Sequence, residues 1–417
     1  MPLAFLLATA IGAATAAPVP LSLTACIDRA VARHPAVAIA AIDQKSASAR
    51  LTGVLAQRLP SLSVESGYLY TSTKDGNLDF VANNAPHETR AQLWLRWQPD
   101  TGALSASLRR AQAEHTAAEW GIRQARARLV LDVATAYYGV LRTQHAHLAL
   151  REAVAGAHRQ LQATQRLVDV GKASRFDLQR TASAVAMQEA RLAQAEADQK
   201  QYRRRLALQV GDVGTVPLAE PIEPQVVPRP TALASPASRA DVRQAEALIP
   251  ARQADVDLAK RALWPQVSFA AAGGLDTGTW PGLQQLGWQA GVDLSWPVWD
   301  WGILQRQVEA AQLTVSRAEA EVQLAARAAA GDVIDAEAQV DRATGQLAAL
   351  KRAGQAADAA LLMAQRGFAE GGVGSLDVLL AQQAAIEARL AQQSARYDYF
   401  TALAYYRWAT TGTEPGQ

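Results

Sequence analysis

Two glycines far apart in this 417-residue sequence are each followed six positions later by an aspartate: Gly171 by Asp177, and Gly371 by Asp377. A carboxylate just inside a helix N-terminus can accept from free backbone N–H groups and is favoured by the helix dipole. The same groups crowded around a narrow opening would repel anions and attract cations. The spacing leaves both readings open. Other reactive side chains do not converge. His145 and His147 are two apart in a helical pattern, so they face different ways and make no metal pair. His115 and His158 have no carboxylate or cysteine at ligand spacing and are expected to be solvated, as is the run Arg203-Arg204-Arg205. The sequence carries no Gly-rich phosphate loop, Ser/His/Asp signature or zinc motif. No enzymatic activity, cofactor or metal is expected. A formal net charge of +2, with no basic cluster interleaved with aromatics, gives no case for nucleic-acid binding.

The elements that must position these groups follow one duplicated plan. Asp100 and Gly102 recur as Asp300 and Gly302, at the offset that also relates the two Gly/Asp pairs. Leu59-Pro60-Ser61-Leu62-Ser63-Val64 likewise resembles Trp264-Pro265-Gln266-Val267-Ser268-Phe269. Each half reads as helix, two strands, long helix, turn, shorter helix. The first half covers 18–212, with strands at 61–70 and 89–98, a long helix at 103–168, a tip turn at 169–177 and a helix at 178–212. A proline-rich extended linker, 213–236, follows. The second half covers 237–412, with strands at 266–272 and 288–298, a long helix at 303–368, a tip turn at 369–377 and a helix at 376–410. Residues 413–417 are a tail.

Before the first strands, one helical pattern runs from about Leu23 to Arg58. Each long helix spans roughly 99 Å at 1.5 Å per residue. Helices of that length pack side by side as coiled coils. Leu129, Val133, Ala136 and Val140, and in the second half Leu313, Ala320, Leu324 and Arg327, step at helical spacing and mark packing faces.

Residues 1–17 have the short apolar run and small-residue end of a secretory signal peptide. Leu23-Thr24-Ala25-Cys26 has the form of a lipoprotein cleavage box, so a lipid anchor at Cys26 stands as an alternative start. After residue 20 there is no run of eighteen or more apolar residues, so a membrane role has to come from strands.

The four strand segments supply one. Leu62, Val64, Tyr68 and Tyr70 alternate with Ser61, Ser63 and Glu65, and Leu93, Leu95 and Trp97 alternate with Arg90, Gln92, Trp94 and Arg96. Val267 and Phe269 flank Ser268, while Trp288, Val292, Leu294 and Trp296 alternate with Gln289, Asp293 and Ser295. A polar face and an apolar face suit a barrel with a wet lumen and a lipid exterior. Eight of the ten tryptophans lie in or beside these strands, including Trp97, Trp280, Trp288, Trp296 and Trp299. With Tyr68 and Tyr70 they suit a membrane–water boundary. A soluble sandwich with a tryptophan core is the rival reading of the strands, and a soluble coiled-coil rod that of the helices. Four strands cannot close in lipid without leaving backbone groups unpaired, at several kcal/mol each. Further copies of the chain must complete the wall.

Several motifs in order carry a family resemblance. Leu21-Ser22-Leu23 with Ala30 and His34-Pro35 opens the first helix. Trp97-Gln98-Pro99-Asp100-Thr101-Gly102 and Trp296-Pro297-Val298-Trp299-Asp300-Trp301-Gly302 form strand-to-helix junctions. Val170 to Leu178 and Phe368 to Leu379 form tips. Together they resemble the TolC-like outer-membrane factor family across nearly the whole mature chain. The resemblance implies a mainly α fold with a membrane β portion. Long antiparallel hairpins would form a coiled-coil α-barrel, and four strands per chain would enter a shared trimeric β-barrel. It implies an outer-membrane exit duct reaching into the periplasm, for a tripartite efflux or type I secretion system. A soluble periplasmic scaffold or adaptor is the alternative. Partners would be a periplasmic adaptor and an inner-membrane pump of RND, MFS or ABC type. Phe368 would occupy a gate-associated aromatic position, and Asp177 and Asp377 would be gate or constriction acids. Val373 and Leu380 depart from the family's namesake, which has a gate arginine and a second pore aspartate there.

Overall fold

The computed structural model describes residues 20–74, 77–78, 87–100, 102–211, 216–221, 238–277 and 286–411. The expected signal segment, the tail, most of the proline-rich linker and Trp280 lie outside the described residues. In chain order the elements are α1 (Leu23–Arg33), α2 (Pro35–Ala56), β1 (Ser61–Tyr70), a short ribbon of β2 (Thr73–Lys74) and β3 (Asn77–Leu78), β4 (His87–Trp97), α3 (Ala103–Asp169), α4 (Arg175–Val210), α5 (Ala240–Arg261), β5 (Gln266–Thr277), β6 (Leu286–Ser295), α6 (Ile303–Ala369) and α7 (Ser375–Thr411).

Where the periodicity predicts one helix from Leu23 to Arg58, two form. Pro35 disfavours helical backbone in the residue before it, and His34 is extended, with ψ 130°. Ser22 caps α1, accepting from the Ala25 N–H at 3.2 Å. The helices α3 and α6 are each 67 residues long and contain no proline.

The chain divides into two compact units, and each draws on both sequence halves: 1–38, 125–235 and 331–417 form the first, 39–124 and 236–330 the second. In the first unit, α1, α3, α4 and α7 pack around Cys26, Val133, Tyr137, Val140, Leu206, Tyr397 and Phe400. The expected stripe Leu129, Val133 and Val140 is buried there. The short segment 216–221 is stitched onto this core. Leu21 and Leu218 bridge in parallel, with Leu21 N–H donating to Pro217 O at 2.8 Å and Ala219 N–H to Leu21 O at 3.0 Å. The Tyr137 hydroxyl lies 3.0 Å from Leu21 O and 2.6 Å from Ala219 O. Glu220 accepts from the Tyr397 hydroxyl at 2.8 Å and pairs with His145 at 2.6 Å. His145 is therefore a structural partner of this segment. His158 is exposed, as expected, and pairs with Glu189 at 3.0 Å, whereas His115 is half-buried and lies 3.1 Å from Gln44.

In the second unit the sheet runs β1-β4-β5-β6, antiparallel throughout. Both β1 and β6 are edges. Register fixes the faces: Leu62 sits opposite Leu95, Val64 opposite Leu93, Trp97 opposite Phe269, and Phe269 opposite Val292. All these side chains are exposed. The expected stripe on α6 differs from its counterpart on α3. Leu313 and Leu324 are 66% and 68% exposed, while Ala318 and Ala329 supply the buried side of the helix.

Candidate functional site

The second unit presents a two-faced sheet. Leu62, Val64, Tyr68, Leu93, Leu95, Trp97, Trp288, Val292 and Leu294 make one contiguous exposed apolar face. A soluble monomer rarely shows such a patch, and every residue of β6 is exposed, so no second sheet packs on it. On the other face Arg96 donates to Glu65 at 2.5 Å and to Ser63 at 3.1 Å, and lies 4.6 Å from the Trp94 ring centroid. Side chains of both charges thus share the face that alternation assigned as polar.

The aromatic residues at the sheet's ends are anchored in matching ways. Trp97 Nε1 donates to Arg58 O and Trp296 Nε1 to Leu263 O, both at 3.2 Å. Each carbonyl precedes the strand that begins the hairpin. Trp299 and Trp301 meet edge to face with centroids 5.6 Å apart, and both are exposed. The Tyr68 hydroxyl lies 2.6 Å from His87 Nδ1, and the Tyr70 ring packs 5.1 Å from the same imidazole.

Each junction turns on an aspartate. Pro99 and Pro297, lacking an N–H, follow the last strand residues and end the ladder. Asp100 then accepts from Gly102 N–H at 2.7 Å, Leu104 N–H at 3.1 Å and the Ser105 hydroxyl. Asp300 accepts from Gly302 N–H at 3.0 Å and Leu304 N–H at 2.7 Å. These carboxylates take the free donors of the first turns of α3 and α6. Partial burial alone would raise the Asp100 carboxyl, but the bonds from Ser105, Gly102 and Leu104 outweigh it and hold it below its usual value. Gly102 and Gly302 have φ of 96° and 79°, the left-handed region glycine enters freely.

The tips belong to the first unit. Both close with a Schellman motif. At the first, Lys172 N–H donates to Leu167 O at 2.7 Å and Gly171 N–H to Val168 O at 3.0 Å. At the second, Gly372 N–H donates to Gly367 O at 2.8 Å and Gly371 N–H to Phe368 O at 3.1 Å. Gly171 and Gly371 are left-handed, with φ of 73° and 80°. Phe368, half-buried, sits in the last turn of α6 and supplies that carbonyl.

Asp177 forms a capping box with Ser174. Its N–H donates to Ser174 Oγ at 3.1 Å, and its carboxylate accepts from Ser174 N–H at 3.2 Å. Among the described residues, Asp377 accepts only from Gly374 N–H, at 3.3 Å. Arg180 was not visible as a site residue in the sequence. Its Nη2 donates to Asp177 Oδ1 at 2.8 Å and to Ser375 Oγ at 2.9 Å, and Ser375 also lies 3.3 Å from Asp177. This triad ties the start of α4 to the start of α7. The bonds from Ser174, and then the Arg180 charge, hold the Asp177 carboxyl below its usual value. A signal for Arg180 did exist: it lies three residues after Asp177, one helical turn away on the same face.

The outer membrane efflux protein family matches residues 26–212 and 234–407. The chain belongs to that family. Membership places it in the outer membrane and sets aside the soluble scaffold and the enzyme. A similar curated relative is the solvent efflux pump outer membrane protein SrpC of Pseudomonas putida, 25% identical over 311 residues, or 70% of this chain. The chain spans 64% of that relative's length. Among solved structures, the outer-membrane channel OprN superposes with a TM-score of 0.81 at 22% identity, covering 94% of this chain and 90% of that one. The CmeC outer membrane channel of Campylobacter jejuni gives 0.84 at 18%, covering 95% and 87%. At these identities the superpositions establish the fold.

Proposed function

We propose that the chain is one subunit of a passive exit duct that carries cargo from an inner-membrane pump across the periplasm and outer membrane. The observation that carries this reading is the sheet. It has two unpaired edges and an exposed apolar face, and short junctions link it to helices of 67 residues. In lipid an open edge is untenable. Pairing β6 of one copy with β1 of the next removes both edges, and three copies give twelve strands. The exposed stripe of Leu313 and Leu324 on α6 then faces a neighbouring copy. Leu62, Val64 and Val292 face lipid. Tyr68, Tyr70, Trp97, Trp288, Trp296 and Trp299 lie at its boundaries. Arg96, Glu65 and Asp293 line water.

Two separate family matches, and the parallel bonding of Asp100 and Asp300, support an internal duplication with halves at 18–212 and 237–412. On this reading Asp177, Asp377 and Phe368 belong to a periplasmic gate. Gly171 and Gly371 shape the tips on which a periplasmic adaptor docks, and a pump of RND, MFS or ABC type stands behind it. The Arg180 triad supports a latch held within one chain, which fits the absence of an arginine at Val373. Cys26 is fully buried within α1, its thiol pushed up to about 11 by burial. That favours a core role over a lipid anchor.

The test is assembly and conduction. Purified in detergent, the protein should run as a heat-modifiable trimer and conduct ions in a planar bilayer. A monomer that stays soluble without detergent and conducts nothing would overturn the proposal.

A further inference from the structure

The first compact unit contains a cavity of about 210 Å³. Leu23, Ile27, Leu131, Phe400, Leu403 and Trp408 supply much of its wall. Two polar side chains also line it, Tyr138 and Arg407. Other tyrosines on these helices have partners for their hydroxyls: Tyr137 has two carbonyls, Tyr202 meets Arg142, Tyr397 meets Glu220 and Tyr405 meets Asp332. The Tyr138 hydroxyl has none among the described residues, although its ring is stacked on Phe400 with centroids 5.5 Å apart. Tyr138 and Arg407 line the same cavity, where burial raises the Tyr138 pKa and the Arg407 charge lowers it. The Arg407 guanidinium makes no ion pair among the described residues. The nearby cation Arg128 is already engaged, paired with Asp132 at 3.4 Å and lying 5.7 Å from the Trp408 ring centroid.

An apolar chamber lined also by a phenol and a guanidinium, neither bonded to a protein acceptor among the described residues, has the polarity of a site for an amphipathic anion. We propose that this cavity binds a single-chain amphipathic carboxylate, its acyl tail lying among Leu23, Ile27, Leu131 and Phe400 and its head held by Arg407 and Tyr138. The site does not depend on conduction, so it stands or falls separately from the duct.

Trp408 supplies the readout. Full-length protein in lipid nanodiscs is titrated with brominated dodecanoate, whose bromine quenches a tryptophan it touches. The expected result is a saturable component of quenching that disappears in Trp408→Phe. Arg407→Gln should weaken binding by about tenfold and Tyr138→Phe by about threefold, matching a charged and a neutral hydrogen bond. Ala404→Phe, which fills the chamber, should abolish binding. Each variant is first checked for heat-modifiable assembly, and one that fails to assemble is replaced by competition of the native protein with unbrominated dodecanoate and dodecanol. Dodecanoate should displace the probe and dodecanol should not. Equal displacement by the two, or no saturable Trp408 component, overturns the proposal.

Discussion

At the first tip, α4 begins on the Ser174 hydroxyl. At the second, α7 begins on Gly374, which has no side chain to offer. The preceding helices nevertheless end through the same pair of backbone bonds. Side-chain volume is also exchanged between the two. The first tip pairs Leu167 with Ala173, whereas the second pairs Gly367 with Val373, and a Cβ on Gly367 would meet Val373 Cγ2 at 2.5 Å. Charge differs too: Lys172 and Arg175 mark the first tip, Glu370 the second. Reversing a long hairpin thus needs a left-handed glycine and two carbonyls. The remaining side chains are free to give each tip its own surface and its own link to the other.

That comparison can be broken most sharply at Gly367. Gly367→Leu should destabilise the second tip by about 2 kcal/mol through overpacking. Adding Val373→Ala should recover most of the loss, read as hydrogen-exchange protection at the end of α6. A failure of that rescue would mean the volume exchange is incidental. Next come the shared glycines. Gly171→Val and Gly371→Val should each cost about 1–2 kcal/mol, because a side chain has room but the left-handed backbone does not suit it. Unequal losses at the two tips would show that closure is not a common backbone solution. If an adaptor docks on the tips as proposed, Gly371→Val should also abolish adaptor cross-linking.

Ser174→Ala should remove about 1 kcal/mol from the start of α4, whereas Gly374→Ser should change α7 by only a few tenths. Arg180→Gln should cost less than about 1 kcal/mol of stability, since the pair is partly exposed. It should nevertheless widen the distance between spin labels at positions 173 and 373. The smallest effect is that of pH. Asp177 has a folded pKa below its ordinary 3.8, so its contribution is complete above that value and lost as pH falls through the lower one. Exchange protection at the start of α4 should be flat from neutral pH to about 5 and fall only in stronger acid. Ser174→Ala should move that fall to higher pH.

Much of this architecture can be read from residue types because its causes are local. Proline-free runs of good helix formers give α3 and α6, strict alternation gives the strands, and Asp–X–Gly marks both junctions. The break at His34 was also local, and Pro35 was there to signal it. What the sequence hides is partnership. The periodicity of Leu313 and Leu324 matches that of Leu129 and Val133, yet the first pair is exposed and the second buried. Period identifies a face without saying whose surface covers it. Arg180 and Ser375 lie far apart in the chain, and only folding brings them to Asp177. The compact units cut across both sequence halves for the same reason: a helix of 67 residues outruns any one local core.

The unpaired rims of β1 and β6 also bear on heredity. If the proposed three-copy assembly holds, a copy that folds correctly has no use until neighbours of equal quality join it, and one faulty copy spoils the work of the others. Supplying a Val292→Pro gene from a plasmid beside an intact chromosomal one, at equal output, would leave only about one three-copy ring in eight free of the defect. The fault would behave as dominant, and cells would lose far more capacity than the half they still encode.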